Sequence, residues 1–257
     1  MATTSTVSQH LIPQGVQPLQ AGKGFEFILR RLHSLSGTVA IGAFLVEHFA
    51  SNAFATNGPK AYADQVKFLT GLPFVEWLEW GFIYIPLLFH ALYGFWIWYR
   101  GDTNVGSYAW RGNWGYTLQR WTGGIAFVYI LWHVITIRFT GPSLLHMHGN
   151  IPGSDLAFAK VAAEMMVPWK AAFYAVGIIS ASWHFAYGIF LFCAKWGIVT
   201  GEKGQERFLA FCFAIFALFV AVGLYSEWAF LYGPFQQQMT PLPAQESALQ
   251  LLRAVVG

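Results

Sequence analysis

Five stretches of this chain are apolar over more than ~20 residues, the length a helix needs to cross a bilayer. They cover about residues 27–54, 77–99, 114–139, 168–196 and 207–232. Polar or helix-breaking residues punctuate them: Arg100-Gly101-Asp102 after the second, Gly141-Pro142 after the third, Gly233-Pro234 after the fifth. The pattern predicts an all-α, polytopic membrane protein with five transmembrane helices, the first four forming a bundle. Pro168 opens the fourth helix in a first-turn position, where its missing N–H costs nothing. Pro86 lies inside the second and should kink it or free a carbonyl. The chain divides into a polar N-terminal segment (1–24), a five-helix membrane domain (25–232) and a tail (233–257). Residues 140–167 read as a long loop. QESALQLLRAVV in the tail has the pattern of a short interfacial amphipathic helix.

Composition narrows the class. Of the 257 residues, 56% are apolar and 11% charged, with 24 Phe and 12 Trp; a soluble domain carries about a quarter charged residues. The net charge of +3 is spread out and gives no nucleic-acid signal. Cys193 and Cys212 fall in apolar runs and read as buried thiols. Residues 1–22 contain no apolar core and do not read as a signal peptide. With the N-terminus cytoplasmic, the inner side collects nine Lys and Arg (23, 30, 31, 100, 111, 120, 195, 203, 207) against six outside (60, 67, 138, 160, 170, 253). That is the sign the positive-inside rule requires.

Against this background four histidines stand out, one per span: His48 in FLVEHFA, His90 in LLFHALYG, His133 in YILWHVIT and His184 in ASWHFAYG. An ionisable group inside a span is costly and marks a functional site by default. At 1.5 Å per residue, His90 lies ~15 Å and His184 ~16 Å from the inner boundary, while His48 and His133 lie within ~10 Å of the outer one. Depth therefore pairs His90 with His184 and His48 with His133. A porphyrin between diagonal helices could take one imidazole on each face, so two pairs predict two haems. There is no C-x-x-C-H for thioether attachment. The motif H-x-x-Y-G recurs at His90–Gly94 and His184–Gly188, and a glycine four residues on lies on the same helix face. With Gly37 and Gly123 it would let a flat ring approach. His33, Ser34, Arg31 and Lys195, at the inner rim, suit the propionates of the inner haem. His10, His146 and His148 read as solvated.

Other readings compete. A single buried histidine is more often structural. Zinc would want carboxylates or thiolates beside the imidazoles, and none cluster there. A proton-coupled transporter would want mid-membrane acids; only Glu47 and Glu227 approach that, near the outer ends. The basic groups at 31, 33 and 195 could equally be a snorkelling belt.

RRLHSLSG at 30–37, the EHF around His48, GLPFVEWLEW at 71–80, HALYG, LQRWTGG at 118–124, WHVITIR at 132–138 and CAKWGI after the fourth helix together resemble the di-haem cytochrome b anchors of succinate dehydrogenases and fumarate reductases. The resemblance runs over about residues 25–232. It implies His48, His90, His133 and His184 as axial ligands of two haems b. It also implies a flavoprotein with covalent FAD and an iron–sulfur protein as partners on the cytoplasmic face. The quinone, menaquinone in this class, would be reduced by succinate, or its quinol would reduce fumarate in the reverse direction. Succinate chemistry would belong to another chain, and this one would be a multi-pass protein of the cytoplasmic (inner) membrane. Quinone reduction needs protons, so a carboxylate near the outer haem is wanted. Glu76 and Glu79 open the second helix there and are candidates for quinone protonation, with Glu47 a third; acids in a first turn also simply suit the helix dipole.

Overall fold

The computed structural model describes residues 24–103, 105–139 and 157–232. The N-terminal segment, the tail, and His10, His146 and His148 lie outside them. Five helices are long and apolar enough to cross a membrane: α1 (Phe25–Asn57), α3 (Val75–Tyr99), α4 (Arg111–Phe139), α6 (Pro168–Lys195) and α7 (Glu202–Tyr232). No strand occurs among the described residues. The third and fifth spans begin at Arg111 and Glu202, a few residues before the apolar pattern does. Their first turns are polar, and Glu202 complements the positive end of the α7 dipole. Outward-facing side chains are large and apolar. Phe82, Leu92, Trp121 and Leu218 are 59–63% exposed, which suits hydrocarbon as solvent.

The spans are not uniform α-helix. Ser36–Ile41, Glu79–Tyr84 and Val134–Phe139 are π-helical. The second leads directly to Pro86, which cannot donate to the carbonyl of Phe82. The widened turn runs up to the place where the proline must break the i→i−4 ladder. Each π segment lies within a few turns of a span histidine, where such bulges often accompany function. The α6–α7 connection closes with Gly197 at φ +71°, a left-handed position that favours glycine. Ile198 N–H donates to Cys193 C=O (2.9 Å) and Gly197 N–H to Ala194 C=O (3.3 Å), a Schellman cap.

Two stretches between the predicted spans contain helices: α2 (Pro59–Thr70), and α5 (Ala157–Met165) within the predicted long loop. Both are too short to span a membrane and amphipathic, so the search for long apolar runs passes over them. Gly58, at φ +101°, turns the chain into α2, and Pro59 opens it.

The described residues form two compact units. The first contains residues 24–47, Trp77–Tyr129 and Gly177–Ala221. Its buried cluster joins Tyr187 and Phe190 of α6 to Leu209 and Cys212 of α7. Cys193, in contrast to Cys212, is only half-buried; both thiols are free. The second contains His48–Glu76, residues 130–139 and 157–176, and 222–232. There α2 and α5 pack together. The ring of Tyr62 lies 6.2 Å from Phe158 and 5.2 Å from Phe230, and Phe158 lies 4.9 Å from Phe230. Phe158 is 1% exposed. Its truncation to alanine should cost about 3–5 kcal/mol through lost contacts and a cavity. A clear fall in the thermal unfolding midpoint of the purified protein is the expected readout; an unchanged midpoint would mean that α5 contributes nothing to stability.

Candidate functional site

In the first unit the imidazole of His90 (α3) faces that of His184 (α6), with centroids 6.0 Å apart and planes at 84°. Each ring is held from behind. His90 Nδ1–H donates to the His33 carbonyl at 2.9 Å, and His184 Nδ1–H to the Gln119 carbonyl at 2.9 Å. A backbone acceptor at Nδ1 fixes the tautomer and leaves Nε2 as the nitrogen with a lone pair. Gln119 Nε2–H also donates to the His184 carbonyl at 2.9 Å.

The two grips are one arrangement built twice. Gly37 lies four residues after His33, and an added Cβ there would lie 2.2 Å from His90 Cε1. Gly123 lies four residues after Gln119, and a Cβ there would lie 2.7 Å from His184 Cε1. A Cβ at Gly94 would meet His33 at 3.1 Å, and one at Gly188 would meet Gln119 Nε2 at 3.4 Å. The four glycines predicted to let a ring approach thus admit, first of all, side chains of the neighbouring helices. His33/Gly37 with His90/Gly94 correspond to Gln119/Gly123 with His184/Gly188, so α1 plus α3 echoes α4 plus α6.

Basic groups gather beside this pair. His33 stacks on His90, centroids 4.1 Å apart and planes within 6°. Its Nδ1 is buried with no hydrogen-bond partner. Arg31 donates to the Lys195 carbonyl at 3.3 Å and lies over Trp196 at 4.6 Å. Trp196 Nε1–H donates to Ser34 Oγ at 3.1 Å, and Ser34 donates to the Arg31 carbonyl at 3.0 Å. Arg30, Arg31 and Arg120 all lie within electrostatic reach of Lys195. The predicted set Arg31, His33, Ser34 and Lys195 is therefore gathered on one side of the first unit. Arg120 and Trp196 join it without having been singled out in the sequence.

In the second unit His48 and His133 face each other, centroids 5.7 Å apart and planes at 79°. His133 Nδ1 is 3.2 Å from the Tyr174 hydroxyl. Asn52 Nδ2 donates to the His48 carbonyl at 2.8 Å and approaches His48 Nε2 at 3.3 Å. This pair thus has one imidazole approached on its Nε2 side, unlike the first. Tyr62 donates to Asn52 Oδ1 at 3.3 Å and Gln65 to Ser51 Oγ at 3.0 Å, which ties α2 to the end of α1. Burial, with Tyr174 nearby, pushes the Tyr62 hydroxyl well above the usual tyrosine range, so it stays protonated and able to donate. Lys160 of α5 donates to the Ile137 carbonyl at 2.6 Å at the end of α4.

The predicted acids Glu76 and Glu79 lie three residues apart in the first turns of α3, and both are half-buried. Glu227, 7% exposed in the second unit, lies within electrostatic reach of Tyr174. Tyr174 and Asn52 carry no motif that sequence alone would flag. Gln119 does: it precedes Gly123 by four, as His33 precedes Gly37.

These donors suit one kind of metal centre. Among the described residues no three or more His, Cys, Asp or Glu side chains are placed to hold one metal ion by themselves. Pairs of imidazoles fit a metal whose remaining ligands come from a macrocycle better than a tetrahedral zinc site. Two metal–nitrogen bonds of about 2 Å, plus the half-rings behind them, place ring centres about 6 Å apart. The observed spacings of 6.0 and 5.7 Å match. The orphaned His33 Nδ1 and the surrounding cations suit an anion at the rim of the first pair.

The chain matches no protein-family model. It is 34% identical over 206 residues to the succinate dehydrogenase cytochrome b558 subunit of Bacillus subtilis (strain 168), an alignment that covers 80% of this chain and 98% of that protein.

Proposed function

The chain belongs to the cytochrome b subunits of succinate dehydrogenase, and from that premise we propose that it is the di-haem membrane anchor of a succinate:menaquinone oxidoreductase. It binds the flavoprotein, with its FAD, and the iron–sulfur subunit on the cytoplasmic face, where its own N-terminus lies. Two haems b held by this chain would link the iron–sulfur clusters to the quinone. When bound, each haem supplies a one-electron carrier.

The residues divide the work. His90 and His184 hold one haem iron through Nε2, and the carbonyls of His33 and Gln119 keep their Nδ1 protons in place. His48 and His133 hold the other, with Tyr174 steadying His133. Arg31, His33, Ser34 and Lys195 receive the propionates of the first haem; the orphaned His33 Nδ1 supports that role. Glu76 and Glu79 hold protons for the quinone. The observation that carries this reading is the pair of imidazole–imidazole spacings near 6 Å, one in each unit.

A tagged chain purified with its complex tests the proposal. Its reduced-minus-oxidised spectrum should show a b-type α-band, and pyridine haemochrome should give two haems per chain. No band, or one haem, would overturn it. Glu79→Gln should lower succinate:quinone reductase activity at least several-fold with haem content unchanged. Full activity would remove Glu79 from the quinone site.

A further inference from the structure

Glu227 lies in the last turns of α7 and is 7% exposed, buried together with Ser226, Ala229 and Phe230. A carboxyl buried at membrane depth normally has a cation or several hydrogen-bond donors beside it. Glu227 has no ion pair among the described residues. The neighbouring Ser226 hydroxyl donates to the Val222 carbonyl at 2.8 Å. Tyr174 of α6 is within electrostatic reach of Glu227. The Tyr174 hydroxyl in turn lies 3.2 Å from His133 Nδ1 and hydrogen-bonds Thr136. The other ionisable groups gathered there are already committed. Glu164 of α5 also reaches Tyr174, but it is paired with Lys170 at 2.6 Å and faces Lys160, which has Arg138 of α4 within reach. Tyr62 of α2 keeps its proton. Glu227 is the acid of this group whose charge no cation fixes.

A charge that appears nearby acts strongly on such a group, because little solvent screens it. A haem held by His48 and His133 gains one unit of negative charge on reduction, and a like charge favours the protonated form of a carboxyl. We infer that Glu227 takes up one proton from water as the haem of the His48–His133 pair gains an electron, and returns it when the electron leaves. The inference rests on the haem proposed at that pair. One electron, supplied by the iron–sulfur clusters, and one proton, bound at a Glu227 carboxylate oxygen, enter together. The net charge of the buried region is then the same before and after. Glu227 touches no iron and acts on the potential of the pair through the field at Tyr174 and His133.

Optical redox titration of the purified complex at a series of pH values tests this. The midpoint of the component that His133→Ala removes should fall as pH rises. Its slope should approach about 59 mV per pH unit, a tenfold change in proton concentration converted for one electron. Glu227→Gln should flatten that slope and leave the other component as it was. Glu227→Asp should keep most of the slope and Glu164→Gln all of it. A slope absent from the unmodified complex, retained in Glu227→Gln or lost in Glu164→Gln overturns the inference. Should Glu227→Gln fail to retain haem, infrared redox difference spectra of the unmodified complex and of Glu227→Asp decide. A protonated-carboxyl C=O band that appears on reduction and shifts in Glu227→Asp is expected; no band, or an unshifted one, overturns the coupling. Failure of the proposed haem arrangement reads differently: haemochrome then gives fewer than two haems per chain, whereas failure of the coupling leaves two haems and no slope.

Discussion

Changing His90 or His184 to alanine should halve the haem content, and His48→Ala or His133→Ala should remove the other half. In the proposed arrangement each imidazole pair would be the whole protein contribution to its iron, so loss of one ring would leave a single protein ligand. The two rings of a pair are on different helices, His90 on α3 and His184 on α6, which makes their equivalence a strong test. Pyridine haemochrome should fall from two to one per chain in all four variants. Redox titration should show His90→Ala and His184→Ala losing the same component, and His48→Ala and His133→Ala losing the other. If all four lost the same component, the pairing would be wrong.

The second large effect is expected at a residue that touches no iron. Gly37→Ala should strip the haem of the His90 pair and spare that of the His48 pair. In an ordinary helix the substitution would help, since alanine exceeds glycine in helix propensity by about 1 kcal/mol. Here the new methyl would occupy the space of the His90 ring. Overpacking of this kind costs about 1–3 kcal/mol, which corresponds to roughly a 5- to 150-fold loss of affinity if it falls on cofactor binding. Gly188→Ala is the control. Its methyl would meet only Gln119 Nε2, at 3.4 Å, an ordinary contact. Haem retained by Gly188→Ala and lost by Gly37→Ala is the expected contrast. Equal retention in both would show that His90 can give way without consequence.

How much of this was legible in the sequence depended on the kind of signal. The five spans were, because a membrane demands long apolar runs and little else breaks them. The partners of His90 and His48 were, because a constant rise per residue turns chain position into depth. The helices α2 and α5 were not: they are short, and their buried faces are defined by Tyr62, Phe158 and Phe230 meeting across long sequence separations. The glycines were read correctly as gaps but not for what fills them, since a missing Cβ does not say which neighbour takes the space. Gln119 could have been found by laying residues 33–37 over 119–123. Tyr174 could not, because its role rests on one hydroxyl reaching one ring.

The doubled grip on the imidazoles has a consequence for assembly. With His90 and His184 each bonded through Nδ1 to a backbone carbonyl, both side chains lose their rotational freedom when the helices pack. A cofactor arriving later meets rings already oriented, with Nδ1 engaged by a carbonyl. Nothing about these two rings then has to be ordered at insertion. In the first unit, the slow step of maturation should therefore be the parting of α3 and α6 to admit a ring, and not the making of the bonds that hold it.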